Sequence, residues 1–494
     1  MAQELSVVLG AVAAVLLISV LAVRVSVRLG FPSLVLYLLI GVLLGEAGIG
    51  VEFENASLTE SLGLAALVLI LTEGGLTTRW PDVKASLWPG VVLSTVAVAV
   101  SIAVTGAALH LILGFDWRYA LLWGAVLAST DAAAVFSVLR NISVGRRLVG
   151  ALELESGMND AAAYLVVVLL ASGSAATWSD PLFAGYELVV GAVIGIGLGW
   201  VGAQALRKSA LPATGLYPLA TVAVPVLAFS AGSFVHASGL LAAYVAALVL
   251  GNSKLPHRND TLSFAEGLGW LSQIGLFVLL GLFMSPERLL DAVVPGIVAG
   301  LVVTFLARPI SVAVSLTPFR VPWREQAFLS WAGLRGAVPI VLAMIPITEG
   351  VTGAHQLVDA VFVLVIVLTI VQGSTLPLVA RLLGLAKSGV TREVDVDAAP
   401  LDELGAVLLT FTVPAGSKMH GVYLSELRLP TGATVSLLVR GGVGHTPGSS
   451  TRMQVRDQLL VVATEQVRTA TEHRIRAVDR AGRFARWRGE TGED

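Results

Sequence analysis

Thirteen stretches of the chain are almost purely apolar, and polar residues gather between them. They run over 5–29, 33–49, 60–77, 87–113, 119–139, 149–173, 183–206, 213–231, 234–251, 266–284, 291–316, 326–346 and 355–386. Leu87–Leu113, Phe183–Leu206 and Val358–Val379 show the type, with almost no charge along their length. A hydrocarbon core of about 30 Å is crossed by a helix of roughly 20 apolar residues. Lipid satisfies no backbone polar group, so a spanning segment must be helical or part of a closed barrel. Period-two alternation is absent, which selects helices. The eighth and ninth stretches also read as one long segment broken near Gly232.

Beyond about residue 390 the pattern changes. Residues 391–403 (TREVDVDAAPLDE) are polar, and short β-prone runs follow: AVLLTFTV, ATVSLLVR and DQLLVVAT, separated by Gly- and Pro-containing turns. The expected organisation is a membrane domain over 1–388, a linker over 389–404, a small α/β or β-rich domain over 405–470 and a basic tail over 471–494, helical or disordered. The fold class expected is all-α polytopic with about thirteen transmembrane helices, plus that small domain.

Charge placement sets the orientation. Arg24, Arg28, Arg79, Lys84, Arg140, Arg146, Arg147, Arg207 and Lys208 fall beside alternate connections, and so do Lys254, Arg258, Arg308, Arg320, Arg324, Arg381 and Lys387. The other set holds Glu46, Glu52, Glu54, Glu60, Asp180, Glu287 and Asp291, with only Arg118 and Arg288. Cytoplasmic connections are rich in Lys and Arg. The N-terminus is therefore expected outside and the C-terminal domain in the cytoplasm of a cell-membrane protein. The first apolar stretch lacks a basic leader and a small-residue cleavage site, so it reads as a retained helix.

Composition agrees and excludes several classes. The chain of 494 residues is 55% hydrophobic and 13% charged, with a mean hydropathy of +0.83. A soluble domain carries about 25% charged residues. With no cysteine, disulfides, thiolate nucleophiles and cysteine metal sites are ruled out. No nucleic-acid-binding surface, nucleophile–base set, cofactor motif or Gly-rich phosphate loop with lysine stands out. An enzyme is not expected, no cofactor is expected, and any transport would be driven by ion gradients.

Ionisable residues within apolar spans are expensive and usually face an ion path or a partner. Asp160 lies mid-span in ALELESGMNDAAAYLVV, with Asn159 beside it and Glu155 and Ser156 about one turn before. Residues four apart share a helix face, so Ser156 stacks with Asp160 and Glu155 with Asn159. The two carboxylates then point apart and serve separate purposes. Thr130 and Asp131 interrupt AVLASTDAAAVFSVL. Such residues offer the backbone alternative hydrogen bonds, and broken helices bind ions in transporters; the alternative is an intact helix with Asp131 paired to a base. Arg335 lies in FLSWAGLRGAVPIVLAM, where Gly333, Gly336 and Pro339 predict a break. A buried guanidinium needs a carboxylate or carbonyl partner, and Glu155 is expected to supply it as a structural ion pair. Glu73, in LVLILTEGGLTTRW, is either an ion-path carboxylate or a helix-end acid reaching the interface. Gln273 is a candidate interhelical bridge, and His236 and His257 make only a weak case for a metal.

At these residues the chain resembles the monovalent cation/proton antiporter superfamily, in its bacterial sodium- or potassium/proton branch. LTEGGL, STDAAAVFSVL, LESGMND, WLSQIGLFVLLG and WAGLRGAVPIVLA carry the likeness, which extends to about residue 385. Residues 391–470 resemble, more loosely, the regulatory C-terminal domain of potassium transport proteins. The resemblance implies two inverted repeats, spans 1–6 and 8–13, with spans five and twelve broken and crossing at mid-membrane. It implies a homodimer working by alternating access. Asp160, Ser156, Thr130, Asp131 and in some relatives Glu73 would hold the ion, and Glu155 would pair with Arg335. Asn159 stands where electrogenic relatives carry a second Asp, which implies electroneutral exchange.

The function expected is exchange of potassium, or sodium, for protons, with cation and proton competing at Asp160. The attached domain favours potassium and is a candidate for binding a nucleotide or other small regulator. Membrane lipid is the other partner; nucleic acid is not. Two further classes stand beside it: a regulated cation channel, which buried acids and broken helices would also fit, and a non-transporting membrane sensor with the soluble domain as its output.

Overall fold

The computed structural model describes residues 2–29, 33–46, 48–50, 53, 55–139, 144–173, 180–386, 396–401, 406–485, 487 and 489–492. Glu52, Glu54, Arg140 and Lys387, used above to orient the chain, lie outside the described residues, as do parts of the expected linker and tail. The chain divides into two compact units, Met1–Ala386 and Lys387–Asp494.

Among the described residues, every regular element of the first unit is helical. In chain order it contains α1 (Ala2–Leu29), α2 (Ser33–Leu44), α3 (Ala56–Thr77), α4 (Leu87–Ser94), α5 (Val96–Leu113), α6 (Trp117–Val126), α7 (Ala132–Leu139), α8 (Arg146–Ala171) and α9 (Asp180–Lys208). There follow α10 (Leu216–Phe234), α11 (Gly239–Gly251), α12 (Arg258–Leu282), α13 (Pro286–Val302), α14 (Arg308–Leu316), α15 (Trp323–Trp331), α16 (Val338–Thr348) and α17 (Ala354–Leu382). Among the described residues, 8 helical stretches are long and apolar enough to cross a membrane, and α2, α11 and α16 are among the shorter apolar helices. The eighth and ninth apolar stretches are two helices, because the chain leaves α10 at Val235 and re-enters at the Ser238 cap of α11.

Small residues set the packing. Gly191, Gly195 and Gly199 recur every four residues on α9, and a Cβ on any of them would meet the Ser238, Ala242 or Ala246 carbonyl of α11 within 3 Å. Without Cβ atoms the two backbones approach closely, the usual basis of helix association in lipid. α3 packs on α11, α12 and α16, while α8 packs on α4, α6, α11 and α16. A π turn, Val303–Ala307, joins α13 to α14 and carries the chain straight into Arg308.

The second unit is a five-stranded sheet with a helix. β1 (Val396–Leu401), β2 (Ala406–Thr412), β3 (Ala433–Arg440), β4 (Val443–His445) and β5 (Gln458–Thr464) are ordered β1-β2-β5-β3-β4, with antiparallel pairing throughout. Alternate residues of β2 and β5 are buried: Val407, Leu409 and Phe411, and Leu459, Val461 and Ala463. Helix α18 (Arg468–Ala481) contributes Ile475 and Val478 to that core. So a strand forms within the expected linker, and the expected tail begins inside a packed helix. At the end of β3, Arg440 donates to Asp457 through Nε (2.8 Å) and Nη2 (2.7 Å), and the Gln454 N–H donates to the same carboxylate (2.7 Å). Burial alone would raise the Asp457 carboxyl. The hydrogen bonds from Arg440 and Gln454, with the charges of Arg440 and His420, outweigh it and hold the group below its usual value.

Candidate functional site

Two helix interruptions meet inside the first unit. α6 stops at Val126 and α7 starts at Ala132; α15 stops at Trp331 and α16 starts at Val338. Each interruption leaves the C-terminal carbonyls of one half-helix and the N-terminal N–H groups of the next without intrahelical partners. The neighbouring interruption supplies them. The Asp131 N–H donates to the Leu334 carbonyl (2.8 Å). Arg335 donates through Nη1 to the Ala128 carbonyl (3.0 Å) and to that of Ser129. The Asp131 carboxylate accepts from the Ala134 N–H (3.1 Å), capping α7, and suits the positive end of the helix dipole.

α8 runs past this junction. Asn159 donates through Nδ2 to Thr130 Oγ1 (2.6 Å), and the Ala132 N–H donates to Ser156 Oγ (3.1 Å). Both bonds hold the first interruption against α8. Asp160, the next residue, is only 3% exposed, and its Oδ1 has no hydrogen-bond partner among the described residues.

A cavity of about 530 Å³ lies here, lined by Thr130, Asp131, Ser156 and Asp160 on one side and by Glu73, Glu266 and Gln273 on the other. Among the described residues its wall carries five carboxylates, those of Glu73, Asp131, Glu153, Asp160 and Glu266, and no Lys, Arg or His. Carboxylate and hydroxyl oxygens suit hard cations. Exposure falls from Thr77 and Glu266, through half-buried Glu73 and Glu153, to Asp160. The cavity therefore leads inward from the end of the bundle where Arg79, Lys84, Arg147 and Arg258 attach.

The residues named from the sequence thus fall into two groups. Asp160, Ser156, Thr130, Asp131 and Glu73 line one cavity, and Asn159 stands behind Thr130. Glu155 and Arg335 are buried but do not line it. The expected Glu155–Arg335 ion pair is replaced by another. Glu155 is bridged by Arg308, which also donates to the Leu329 carbonyl (3.3 Å). The reason is local: Arg335 is already engaged by the carbonyls that the α6–α7 interruption leaves open. Arg308 reads in the sequence as one more base near the end of a span. Its position eight residues inside the 291–316 stretch was the signal of burial. Glu153 and Glu266 were not singled out either, since each lies near a predicted end.

Residues 13–382 match the family described as sodium/hydrogen exchanger, transmembrane, and residues 408–476 match the TrkA-C domain. The chain is 37% identical over 456 residues to the K(+)/H(+) antiporter NhaP of Alkalimonas amylolytica, covering 90% of this chain and 79% of the relative. It is 34% identical to the K(+)/H(+) antiporter NhaP2 of Shewanella baltica (91% and 79% covered). Identity is 29% to the Na(+)/H(+) antiporter ApNhaP of Aphanothece halophytica (72% and 70%). Among solved structures, the sodium proton antiporter MjNhaP1 from Methanocaldococcus jannaschii superposes with a TM-score of 0.68 at 21% identity, covering 77% of this chain and all of that one.

Proposed function

The chain belongs to the sodium/hydrogen exchanger family and is a secondary active cation/proton antiporter of the plasma membrane, and we propose that it exchanges potassium, with sodium as a further substrate, for protons at Asp160. The observation that carries the site is Asp160 itself: a buried carboxylate with an open oxygen, in an oxygen-lined cavity where two interrupted helices meet. One carboxylate cannot hold a proton and a cation together. When Asp160 is ionised, its oxygens, with Ser156, Thr130, Asp131 and Glu73, replace water around the cation. When it takes a proton, the cation leaves. Asn159 adds no charge beside it, so one cation balances one proton and membrane potential does not drive the cycle. The relatives named for potassium, together with the TrkA-C domain, support potassium.

The finer architecture belongs to the same reading. Thirteen spans form two inverted repeats, and α6–α7 and α15–α16 are the broken, crossing pair. The protein is a homodimer with its N-terminus outside, a topology supported by the Lys/Arg distribution. The C-terminal unit, in the cytoplasm, binds a small regulator such as a nucleotide.

The test is proton flux in proteoliposomes with an internal pH dye. Potassium, sodium, lithium and choline are added in turn, with and without a voltage clamp. Dissipation by potassium that ignores voltage and falls to background in Asp160→Asn is expected. Exchange by that variant at the parent rate would sink the single-site mechanism. Dissipation by sodium or lithium only would overturn the choice of potassium.

A further inference from the structure

Glu153 is a carboxylate that neither the pairing nor the binding scheme above uses. It lies on α8 with Ser156, Gly157 and Asp160 at positions three, four and seven residues on, and all four line the cavity. That spacing is one face of a helix. It puts Glu153 about 10 Å from Asp160 along the axis, on the side that leads outward. Resting on the antiporter reading, we propose that Glu153 is a relay carboxylate, which takes the cation or proton from water at the basic-rimmed end and hands it to Asp160.

Three observations support this role. First, Glu153 has no ion pair and no side-chain hydrogen bond among the described residues, and its charged neighbour is an acid, Asp82. Glu155, two residues on, is given Arg308; a carboxylate kept for structure is neutralised here, and Glu153 is not. Second, the cavity-lining residues of α8 between Glu153 and Asp160, Ser156 and Gly157, carry no charge. Gly157 leaves bare backbone there, and the ring of Tyr244 lies against it, its hydroxyl 3.4 Å from the Glu153 carbonyl. Third, the open oxygen of Asp160 ends the same cavity. The other acids on this route, Glu73, Glu266 and Asp131, stand on facing elements, so the wall inside the rim is acidic on both sides and favours cations.

The cavity opens at one end, so the effect must have a side. Full-length protein is reconstituted in a single orientation, and potassium is applied to the basic-rimmed face or to the opposite one. Glu153→Gln is expected to raise half-saturating potassium about fourfold from the basic-rimmed face, the size expected for one unit charge about 10 Å away in a half-wet cavity. Its maximal rate stays within about twofold. Half-saturation from the opposite face is unchanged, and Glu153→Asp restores the parent value. Where Glu153→Gln is recovered poorly, Glu153→Ser is read in its place. Unchanged half-saturation, or an equal rise from both faces, overturns the relay. Exchange by the parent then keeps the antiporter reading intact, whereas a parent without exchange sinks both.

Discussion

On α8, Glu155 and Asp160 stand five residues apart, and their two faces of the helix meet different surroundings. Both carboxylates are buried, at 1% and 3% exposure. Glu155 points to α14, where Arg308 bridges it at the π turn. Asp160 points to a cavity lined, among the described residues, by four more carboxylates and no base. The first arrangement ties helices together. The second leaves Asp160 without an ion pair and with one oxygen unbonded among the described residues, in an acidic cavity that a mobile cation or proton can enter. Burial alone therefore does not set the proposed transport residue apart from the paired one; an unbonded oxygen on an acidic cavity does.

The largest effects are expected on removing one charge from each face. Glu155→Gln or Arg308→Met leaves a single buried charge, which costs about 3–5 kcal/mol. Each is expected to lower folded yield and melting temperature in detergent, and Glu155→Leu with Arg308→Met should recover part of the loss. Asp160→Asn should fold as well as the parent while losing exchange. Equal destabilisation by Asp160→Asn and Glu155→Gln would erase the distinction.

A smaller effect is expected at the seam between α8 and α11. A Cβ at Gly157 would run into the Tyr244 ring. Gly157→Ala should cost about 1–3 kcal/mol by overpacking, and Tyr244→Leu in the same chain should relieve it. A thermal melt of the single and double variants decides.

The smallest effect lies in the second unit, where an acid is paired as Glu155 is but outside the membrane. Arg440 is 37% exposed on its side chain, so screening by water limits the pair to about 1 kcal/mol. Asp457 is held below its usual value in the folded unit. The unfolded chain then binds more protons, and stability rises with pH. The contribution is complete above the unfolded value of about 3.9 and is lost as pH falls through the lower folded value. Cleavage of this unit by pepsin should differ between parent and Asp457→Asn at pH 5 and converge toward pH 3. A constant difference across that range would remove the pair from the pH response.

Much of this was legible in the residues. Ser129, Thr130 and Asp131 within an apolar run announce the first interruption, and Gly333, Gly336 and Pro339 announce the second, because each breaks a helix by its own chemistry. The opposed directions of Glu155 and Asp160 follow from helical geometry alone. The partner of Glu155 does not. Arg308 reaches it through tertiary packing at a π turn, which no local pattern reports. β1 hides in the polar run before β2, where Pro400 and the charges argue against a strand; pairing to β2 at the sheet edge decides it instead. The helix α18 buries Ile475, Ala477 and Val478, too few apolar positions to show through its arginines.

The bond from the Asp131 N–H to the Leu334 carbonyl joins the two interruptions through main chain alone. Every amino acid except proline supplies the same donor, and every one supplies the same acceptor. An alanine scan across both segments would pass over this link unseen, and neither salt nor pH has a handle on it. The two half-helix pairs are thereby coupled by a joint that genetic variation can scarcely edit, which leaves side chains free to diverge around a fixed mechanical element.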